Sequence, residues 1–304
     1  MENNDFVLDV NNDEFLVNTK KDTVLKVSYQ SKEVFVCPVC KEEFHKEELF
    51  TGSGRLIAGS LTDELHRLYE PSAKYGELYP LAYHAVVCPG CWFASNLDDF
   101  NALPENARHK IQVDEEARKK EVGSIFPPVD FYESRSLVSG AVSQYLIMRC
   151  YDYYPADFSP TVKAGIAALR AGWLLEHINE KEPGQHWDWL AQLFKKKAHF
   201  FCRRALDGET GGGGETLSGL KSFGPDLDKN YGYEGFLYIT GLLEFKCGSR
   251  KDPQKRKDLI TESRQTLAKM FGLGKSSKSK PGPLLEKSRS LYADISKELQ
   301  DFDE

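Results

Sequence analysis

Two Cys-Pro-x-Cys pairs constrain the fold of this chain more than any other feature. Cys37 and Cys40 lie within VFVCPVC, and Cys88 and Cys91 lie within AVVCPGC. Each Cys-x-x-Cys turn places two sulfur atoms on one side of a tight backbone knuckle, and two knuckles supply four tetrahedral ligands. The flanking residues favour β-strands, as in a zinc ribbon. The sequence therefore predicts a structural zinc ion on these four cysteines.

The spacing leaves two other readings of the sulfur cluster open. Cys40 and Cys88 are 48 positions apart, against a usual spacer of about 15–20 residues, so the excess is read as an inserted segment. Iron is an alternative metal because four thiolates do not discriminate it from zinc. A dithiol redox motif would need a nearby βαβ unit, which this sequence does not show.

A catalytic zinc site is weighed and disfavoured. Four thiolates fill the coordination shell and leave no position for water. His45-Lys46-Glu47 matches the first half of the deaminase pattern, but Val87 stands before Cys88 where that pattern requires proline. His45 and His84, which lie near the knuckles in sequence, are interpreted as neighbours of the cluster rather than as its ligands.

Composition excludes several classes of protein. The net charge is −6, with 40% hydrophobic and 28% charged residues, which indicates a soluble globular chain without broad attraction to nucleic acid or anionic membranes. The sequence contains no run of about 18 apolar residues, and its acidic N-terminus lacks the pattern of a secretory signal. We therefore expect a cytoplasmic protein with no membrane insertion, whose other cysteines, Cys150, Cys202 and Cys247, are buried free thiols.

The hydrophobic period becomes helical after Pro127 and Pro128, which mark a predicted domain boundary. Amphipathic segments follow at 134–154, 159–181, 186–208, 231–249, 252–272 and 283–302. Small residues recur at positions suited to close packing, namely Ala164, Ala168, Ala171, Ala198 and Gly241. The pattern predicts a mainly α fold with tetratricopeptide-like antiparallel helical hairpins, and an ordinary helical bundle remains the alternative.

The cysteine pairs, the two prolines and the helical period divide the chain into three predicted parts. Residues 1–33 are predicted to be a partly flexible segment with a strand, and residues 34–126 a small α+β zinc-ribbon-like domain with a long insertion. Residues 127–304 are predicted to be the helical domain. Within the second part, SLTDELHRLYE is predicted to form a short helix because its Ser and Thr stand at cap spacing from acidic residues, and EEARKKE a short exposed helix.

Four stretches of the sequence, CPVC, SGRL, TDELHRLY and YPLAYHAVVCPGCWFA, resemble an uncharacterised bacterial family of unknown function. The resemblance runs from about Val34 to Leu299. It implies an N-terminal four-cysteine segment and a C-terminal tetratricopeptide-like part, with no established activity. In that family glycine usually follows each knuckle, where it relaxes a positive φ, whereas this chain has Lys41 and Trp92.

The same resemblance draws attention to Ser53, Gly54, Arg55 and Asp63, which match the family pattern between the knuckles. One interpretation is a small anion or partner site beside the zinc. The other, which we favour, is a turn fixed by an Arg55–Asp63 ion pair.

The function predicted from the sequence is a non-catalytic scaffold or adaptor that binds a protein partner on its helical array. No set of nucleophile and base, or of acid and base, fills the roles of an active site, so no catalytic residue is predicted. Trp173, Trp187 and Trp189 are read as core packing, with a peptide-binding groove as the alternative, and Phe200 and Phe201 are expected to point into the core. An enzyme with a site between the two parts is the alternative function, and a nucleic-acid-binding ribbon is disfavoured by the acidic charge.

Overall fold

The computed structural model describes residues 26–210, 215, 217, 223–271 and 281–302. Near its N-terminal end, this part of the chain forms small antiparallel sheets in which each strand pairs with the next: β1 with β2, β3 with β4, and β5 with β6. The first 25 residues of the predicted N-terminal segment lie outside the described residues. The strands are β1 Ser28–Val36, β2 Glu43–Leu49, β3 Ile57–Leu61, β4 Arg67–Glu70, β5 Val86–Val87 and β6 Ala94–Ser95.

Helices make up most of the described residues. The prediction of a mainly helical fold with a small N-terminal part of mixed structure is confirmed at this level. Each of the six predicted helical segments overlaps one of the helices α4 to α9, although α6 ends two residues later than predicted and α9 starts one residue earlier. The helices are α1 Leu97–Phe100, α2 Glu105–Val113, α3 Glu115–Ile125, α4 Leu137–Tyr151, α5 Pro160–Lys181, α6 Trp187–Thr210, α7 Gly232–Cys247, α8 Pro253–Phe271 and α9 Gly282–Gln300.

The N-terminal part packs directly on the first long helix. Ser136 and Ser139 form a capping box that starts α4 and satisfies backbone N–H groups of its first turn. One turn into the helix, a Cβ added at Gly140 would lie 2.7 Å from the Cα of Ala82, in the 3₁₀ turn Pro80–Tyr83. Glycine at this position therefore lets the N-terminal part approach the backbone of α4 closely.

Buried side chains on both sides of Pro127 and Pro128 belong to one apolar core. Phe93 and Phe100 of the N-terminal part, and Leu146 and Trp173 of the helices, are at most 1% exposed. A shared core couples the stability of the two parts, because neither can be removed without exposing apolar surface of the other. The division at these two prolines stays a prediction.

The segment SLTDELHRLYE does not form the predicted helix, and this prediction is wrong. Its first two residues end β3, and the rest forms the turn and β4 of the β3–β4 hairpin, in which the N–H of Thr62 donates to the carbonyl of His66 at 2.8 Å. The hydroxyl of Thr62 accepts from the N–H of His66, so it closes the turn and does not cap a helix. Leu65, at the tip of the hairpin, has φ 61° and is fully buried. Burial of the tip against the helices outweighs the local capping signal.

Candidate metal centre and histidine cleft

Residues 37–42 and 88–93 form two knuckles with the same backbone geometry. The N–H of Lys41 donates to the carbonyl of Cys37 at 3.0 Å, and the N–H of Trp92 donates to the carbonyl of Cys88 at 3.0 Å. Lys41 has φ 69° and Trp92 has φ 57°, the left-handed region in which glycine is favoured. The knuckles therefore form without glycine, and Lys41 and Trp92 bear the free-energy cost of a left-handed backbone conformation.

The two knuckles bring the four predicted cysteines together. Their Sγ atoms all lie within 4.8 Å of one another, with 3.6 Å between Cys37 and Cys91 and 3.5 Å between Cys40 and Cys88. A disulfide would require about 2.05 Å, whereas tetrahedral bonds of about 2.3 Å to one ion separate two sulfurs by about 3.8 Å. Four cysteines at these distances could hold a metal ion.

The sulfur atoms also perturb one another electrostatically. Hydrogen bonds from Cys88 and then Cys91 lower the pKa of Cys37 to about 4, against burial that acts to raise it. The same contact with Cys37 raises the pKa of Cys91. Contact with Cys37 also raises the pKa of Cys88, so Cys37 is the cysteine favoured as a thiolate, and an ion that binds thiolates would displace protons from the raised thiols.

Helix α3 holds the second knuckle in place. The guanidinium of Arg118 is fully buried and donates to the carbonyl of Cys91 at 2.7 Å and to that of Ile111 at 3.0 Å. Next to it, Lys119 Nζ donates to the carbonyl of Gly90 at 2.8 Å. Both cations belong to EEARKKE, which the sequence predicts to be simply an exposed helix. These hydrogen bonds from Arg118 tie the second Cys-x-x-Cys turn to α3.

Replacing Lys41 by glycine is expected to stabilise the protein by roughly 0.5–1 kcal/mol, because it removes the cost of a left-handed non-glycine residue. Trp92→Gly relieves the same strain but loses the edge contact with Phe131, whose ring centroid lies 5.5 Å away, and should destabilise the protein. Chemical denaturation of both variants measures the two effects. A destabilised Lys41→Gly would contradict the strain argument.

The other sequence candidates near the knuckles lie outside the sulfur cluster. His45 Nδ1 lies 2.8 Å from the carbonyl of Ser31, and His84 Nε2 lies 3.2 Å from the Oδ1 of Asn96. Both histidines thus have hydrogen-bond partners in the protein.

The predicted Arg55–Asp63 ion pair does not form. The guanidinium of Arg55 donates to the carbonyl of Gly52 and lies over the ring of Tyr75, 4.4 Å from its centroid. The carboxylate of Asp63 instead lies 3.6 Å from Lys287 Nζ in α9. The β3–β4 hairpin extends toward the helices and carries Asp63 away from Arg55, so this arginine packs within its own turn.

His84 should make the protein acid-sensitive. Burial, and then the guanidinium of Arg170, lower the pKa of His84 to about 3. The unfolded chain binds the proton near pH 6.5, so the stabilising contribution of neutral His84 is complete above that pH and is lost as the pH falls toward 3. Between pH 7 and 5 the unfolding free energy should fall by roughly 1–2 kcal/mol more in the wild type than in His84→Asn. His109→Asn is the control, because His109 is exposed. If the unfolding free energy of the wild type and of His84→Asn changed equally between pH 7 and 5, the assignment to His84 would be contradicted.

The tip of the β3–β4 hairpin enters a cleft between the N-terminal part and helices α5 to α7. The carboxylate of Glu64 accepts from the indole N–H of Trp173 at 2.6 Å and contacts Lys195 Nζ at 2.9 Å. Lys195 Nζ also lies 2.5 Å from Glu176. Burial acts to raise the pKa of Glu64, but the charge of Lys195 lowers it overall, so the carboxylate is ionised inside the protein.

His66 is the centre of the cleft, which we call the histidine cleft. Its Nδ1 lies 2.5 Å from buried Asp226, its Nε2 lies 3.0 Å from the Nε2 of His177, and its ring stacks on Trp173 with centroids 4.5 Å apart. A cavity of about 180 Å³ opens beside the two histidines, and the lining of a second cavity of about 670 Å³ includes Asp226 and Arg170. The sequence singled out neither histidine nor Asp226. His177 lies 111 positions from His66 and Asp226 lies 160 positions from it, so no local pattern in the sequence connects these residues.

Helix α6 exposes aromatic side chains. Trp173 and Trp187 are buried as predicted, but Trp189 is 62% exposed and Phe200 is 57% exposed, so the predicted inward direction of Phe200 is wrong. Trp189 and Phe200 are eleven positions apart, about three helical turns, and share one face of the helix. Half-buried Leu193 and exposed Lys196 lie between them on this face. We call Trp189, Leu193, Lys196 and Phe200 the α6 stripe.

Comparison with known proteins gives one family and one relative. The family model described as "Uncharacterized protein conserved in bacteria (DUF2225)" matches residues 30–295. An "Uncharacterized protein" of Borreliella burgdorferi is 39% identical over 278 residues, which is 91% of this chain and 99% of the relative. No solved structure matches the chain. Among the described helices, none has the length and apolar character needed to cross a membrane.

Proposed function

We propose that this chain, which belongs to the DUF2225 family of uncharacterised proteins conserved in bacteria, is a non-catalytic adaptor of the cytoplasm. In this proposal a structural zinc ion on Cys37, Cys40, Cys88 and Cys91 fixes the N-terminal part. The α6 stripe of the helical part binds an acidic segment of a protein partner. The observation that carries the proposal is the exposure of two large aromatic side chains on one face of a single helix.

The structural role of zinc is supported by the donor set and by what surrounds it. Four sulfur atoms complete a tetrahedral shell, which leaves no open position for water or substrate. Three of the four cysteines are buried, and Arg118 and Lys119 hold the carbonyls of the second knuckle. All seven cysteines lack disulfide partners, which suits a reducing compartment.

Zinc supplies stability that the small sheets do not supply themselves. The strands β5 and β6, which carry the second knuckle, are two residues each, and among the described residues β1 pairs with β2 alone. Two-stranded sheets are marginally stable in water. The ion therefore provides much of the folding free energy of this part.

The arrangement of the helices supports the proposed tetratricopeptide-like array. Each helix from α4 to α8 packs against the next one in sequence, as in stacked antiparallel hairpins. Gly165 of α5 permits a close approach to α6, because a Cβ at this position would lie 3.2 Å from the Cβ of Phe201. An array of this kind presents long helix faces to partners.

The composition of the α6 stripe indicates the chemistry of its partner. Tryptophan and other aromatic residues carry much of the binding free energy at protein interfaces. The stripe spans about 16 Å along the helix and includes exposed Lys196, with Lys197 beside it. These cations stand on a chain whose net charge is −6. A partner segment that combines carboxylates with apolar side chains would match both features.

Affinity capture tests the adaptor proposal. The wild-type chain, the double variant Trp189→Ala/Phe200→Ala, and Lys196→Glu are immobilised and exposed to a lysate of the bacterium that encodes the chain. Val113→Ala is the matched control, since Val113 is an apolar side chain that is 72% exposed on α2. A captured protein is then purified, and its affinity for each variant is measured by calorimetry at two salt concentrations.

We expect an acidic partner whose affinity falls at least tenfold in the double variant and in Lys196→Glu. We also expect the affinity to fall with added salt and to be unchanged in Val113→Ala. Failure of the wild-type chain to capture any protein, or equal binding by the wild type and the double variant, would contradict the assignment of this surface.

An enzyme with its site in the histidine cleft is a second candidate, favoured by the contact between His66 and Asp226. A buried carboxylate on Nδ1 fixes the tautomer and orientation of an imidazole, as in hydrolases whose histidine acts as a base. The wild-type chain and His66→Asn would be incubated with a metabolite extract and followed by mass spectrometry. A compound consumed only by the wild type would favour the enzyme. Unchanged metabolites would count against it.

A further inference from the structure

The larger cavity, of about 670 Å³, lies where the N-terminal part meets the helices. Its lining includes His84 and Asn96 of the N-terminal part, Lys163 and Arg170 of α5, and residues 224–230, which precede α7. A volume of this size is typical of pockets that bind small organic molecules. We call it the Arg170 cavity.

The wall of this cavity contains a buried cation that no carboxylate neutralises. Arg170 is 6% exposed. Its Nε donates to the carbonyl of Pro225 at 2.8 Å and its Nη2 donates to the carbonyl of Gly224 at 3.1 Å, so both partners are uncharged. Among the described residues, its Nη1 has no hydrogen-bond partner and no carboxylate forms an ion pair with the guanidinium. A buried charge without an opposite charge is costly, which points to an anion from outside the chain.

The buried carboxylates of the lining are bound to other groups. Asp226 is the carboxylate whose charge acts most strongly on Arg170, but its oxygens already accept one hydrogen bond from His66 and two from backbone N–H groups. Asp99 pairs with Lys163 at 2.5 Å. The guanidinium of Arg170 is thus left to bind an anionic group that enters the cavity.

The exposed part of the lining is richer in carboxylates than in cations. Asp98 and Asp157 are exposed and form no ion pair with another described residue. Asp228, which pairs with Arg67, and Lys229 are the other charged residues of this exposed part. A positively charged group near the opening would complement these carboxylates. The apolar members of the lining are Leu97, Phe158, Ile166 and Leu227.

We infer that the Arg170 cavity binds a small zwitterion, namely an amino acid or a short peptide with free ends and apolar side chains. Its carboxylate pairs with Arg170, and its ammonium group lies near Asp98 and Asp157. The planar fork of a guanidinium matches the geometry of a carboxylate. Phosphate esters fit less well, because their greater negative charge would meet the exposed carboxylates. The inference depends neither on the zinc ion nor on the α6 stripe.

Calorimetric titration of the full chain with leucine and with leucyl-leucine tests the inference. Both probes carry a carboxylate, an ammonium group and an apolar side chain, and together they distinguish a free amino acid from a peptide. We expect at least one of them to bind, and its carboxyl-amidated form to bind at least tenfold more weakly, because the amide carries no charge to pair with Arg170. Absence of binding by both probes, equal binding of the free and amidated forms, or equally tight binding of inorganic phosphate would overturn the inference.

Variants assign the two ends of the ligand. Asp98→Asn/Asp157→Asn changes exposed side chains, so it should fold like the wild type, bind the free ligand severalfold more weakly, and bind the N-acetylated ligand as the wild type does. Arg170→Met should bind the free and amidated ligands equally. Arg250→Met is the control, since the side chain of Arg250 is 60% exposed, and it should bind like the wild type.

Two results with these variants would contradict the assignment. The first is wild-type affinity for the free ligand in Arg170→Met. The second is an equal loss of affinity for the free and the N-acetylated ligand in the double variant. Because Arg170 also holds two backbone carbonyls, its variant is checked for folding by circular dichroism. The comparison of free and amidated ligands uses the unmodified protein, so it decides the question even if Arg170→Met does not fold.

Discussion

Replacing Cys88 by serine should remove the bound metal and unfold the N-terminal part. In zinc-finger peptides the ion contributes roughly 10–16 kcal/mol of apparent binding free energy, and this binding is linked to folding. Loss of one of the four thiolates should remove several kcal/mol of this binding free energy and thereby lower the stability of the protein. Because each kcal/mol shifts the unfolding temperature of a large domain by about 2–4 °C, a decrease of about 10 °C or more is expected.

Calorimetry together with metal analysis of dialysed protein measures both effects. Cys247→Ser is the control, since Cys247 is a partly buried free thiol outside the four-sulfur cluster. It should retain about one ion per chain and shift the unfolding temperature only slightly. Wild-type metal content in Cys88→Ser would show that the cysteines do not form the site.

The second large effect is expected at Lys195 in the histidine cleft. Lys195→Met leaves the buried carboxylate of Glu64 without its closest cation, and loss of one partner of a buried ion pair typically costs about 3–5 kcal/mol. The double variant Glu64→Gln/Lys195→Met removes both charges and should recover much of the loss. Lys181→Met is the control because its partner Glu77 is exposed, and such pairs contribute about 0–1 kcal/mol.

The pH dependence of the same variants gives a further check. The folded-state pKa of Glu64 is below its ordinary value, so its stabilising contribution is complete at neutral pH. The contribution is lost as the pH falls below about 4, where the unfolded chain takes up the proton. Urea denaturation at pH 7 measures the loss of unfolding free energy in Lys195→Met and in the control Lys181→Met. If Lys195→Met were no more destabilising than Lys181→Met, the carboxylate of Glu64 would not depend on this cation.

The cysteine pairs and the long helices could be predicted because local sequence determines them. A Cys-x-x-Cys turn needs only four residues to place two sulfurs together, and a helix reveals its buried face through its period. The two knuckles even form without glycine, at Lys41 and Trp92, because their backbone hydrogen bonds fix the geometry.

The histidine cleft could not be predicted, because it is assembled from distant parts of the chain. SLTDELHRLYE carries a helix-capping signal, but the buried position of Leu65 and the contacts of Glu64 with Trp173 and Lys195 favour a hairpin. The exposure of Trp189, in contrast, follows from the helical period. Trp187 and Trp189 are two positions apart in sequence, yet the rotation of α6 buries the first and exposes the second.

The measurement that tests the proposed zinc centre most directly is X-ray absorption at the zinc edge, on protein purified without added metal. We predict about one zinc per chain with four sulfur ligands at about 2.3 Å. A spectrum with only nitrogen and oxygen ligands would place zinc away from the cysteines. Absence of metal, with disulfides between the cysteines, would contradict a structural ion and favour redox chemistry at the two Cys-Pro-x-Cys pairs.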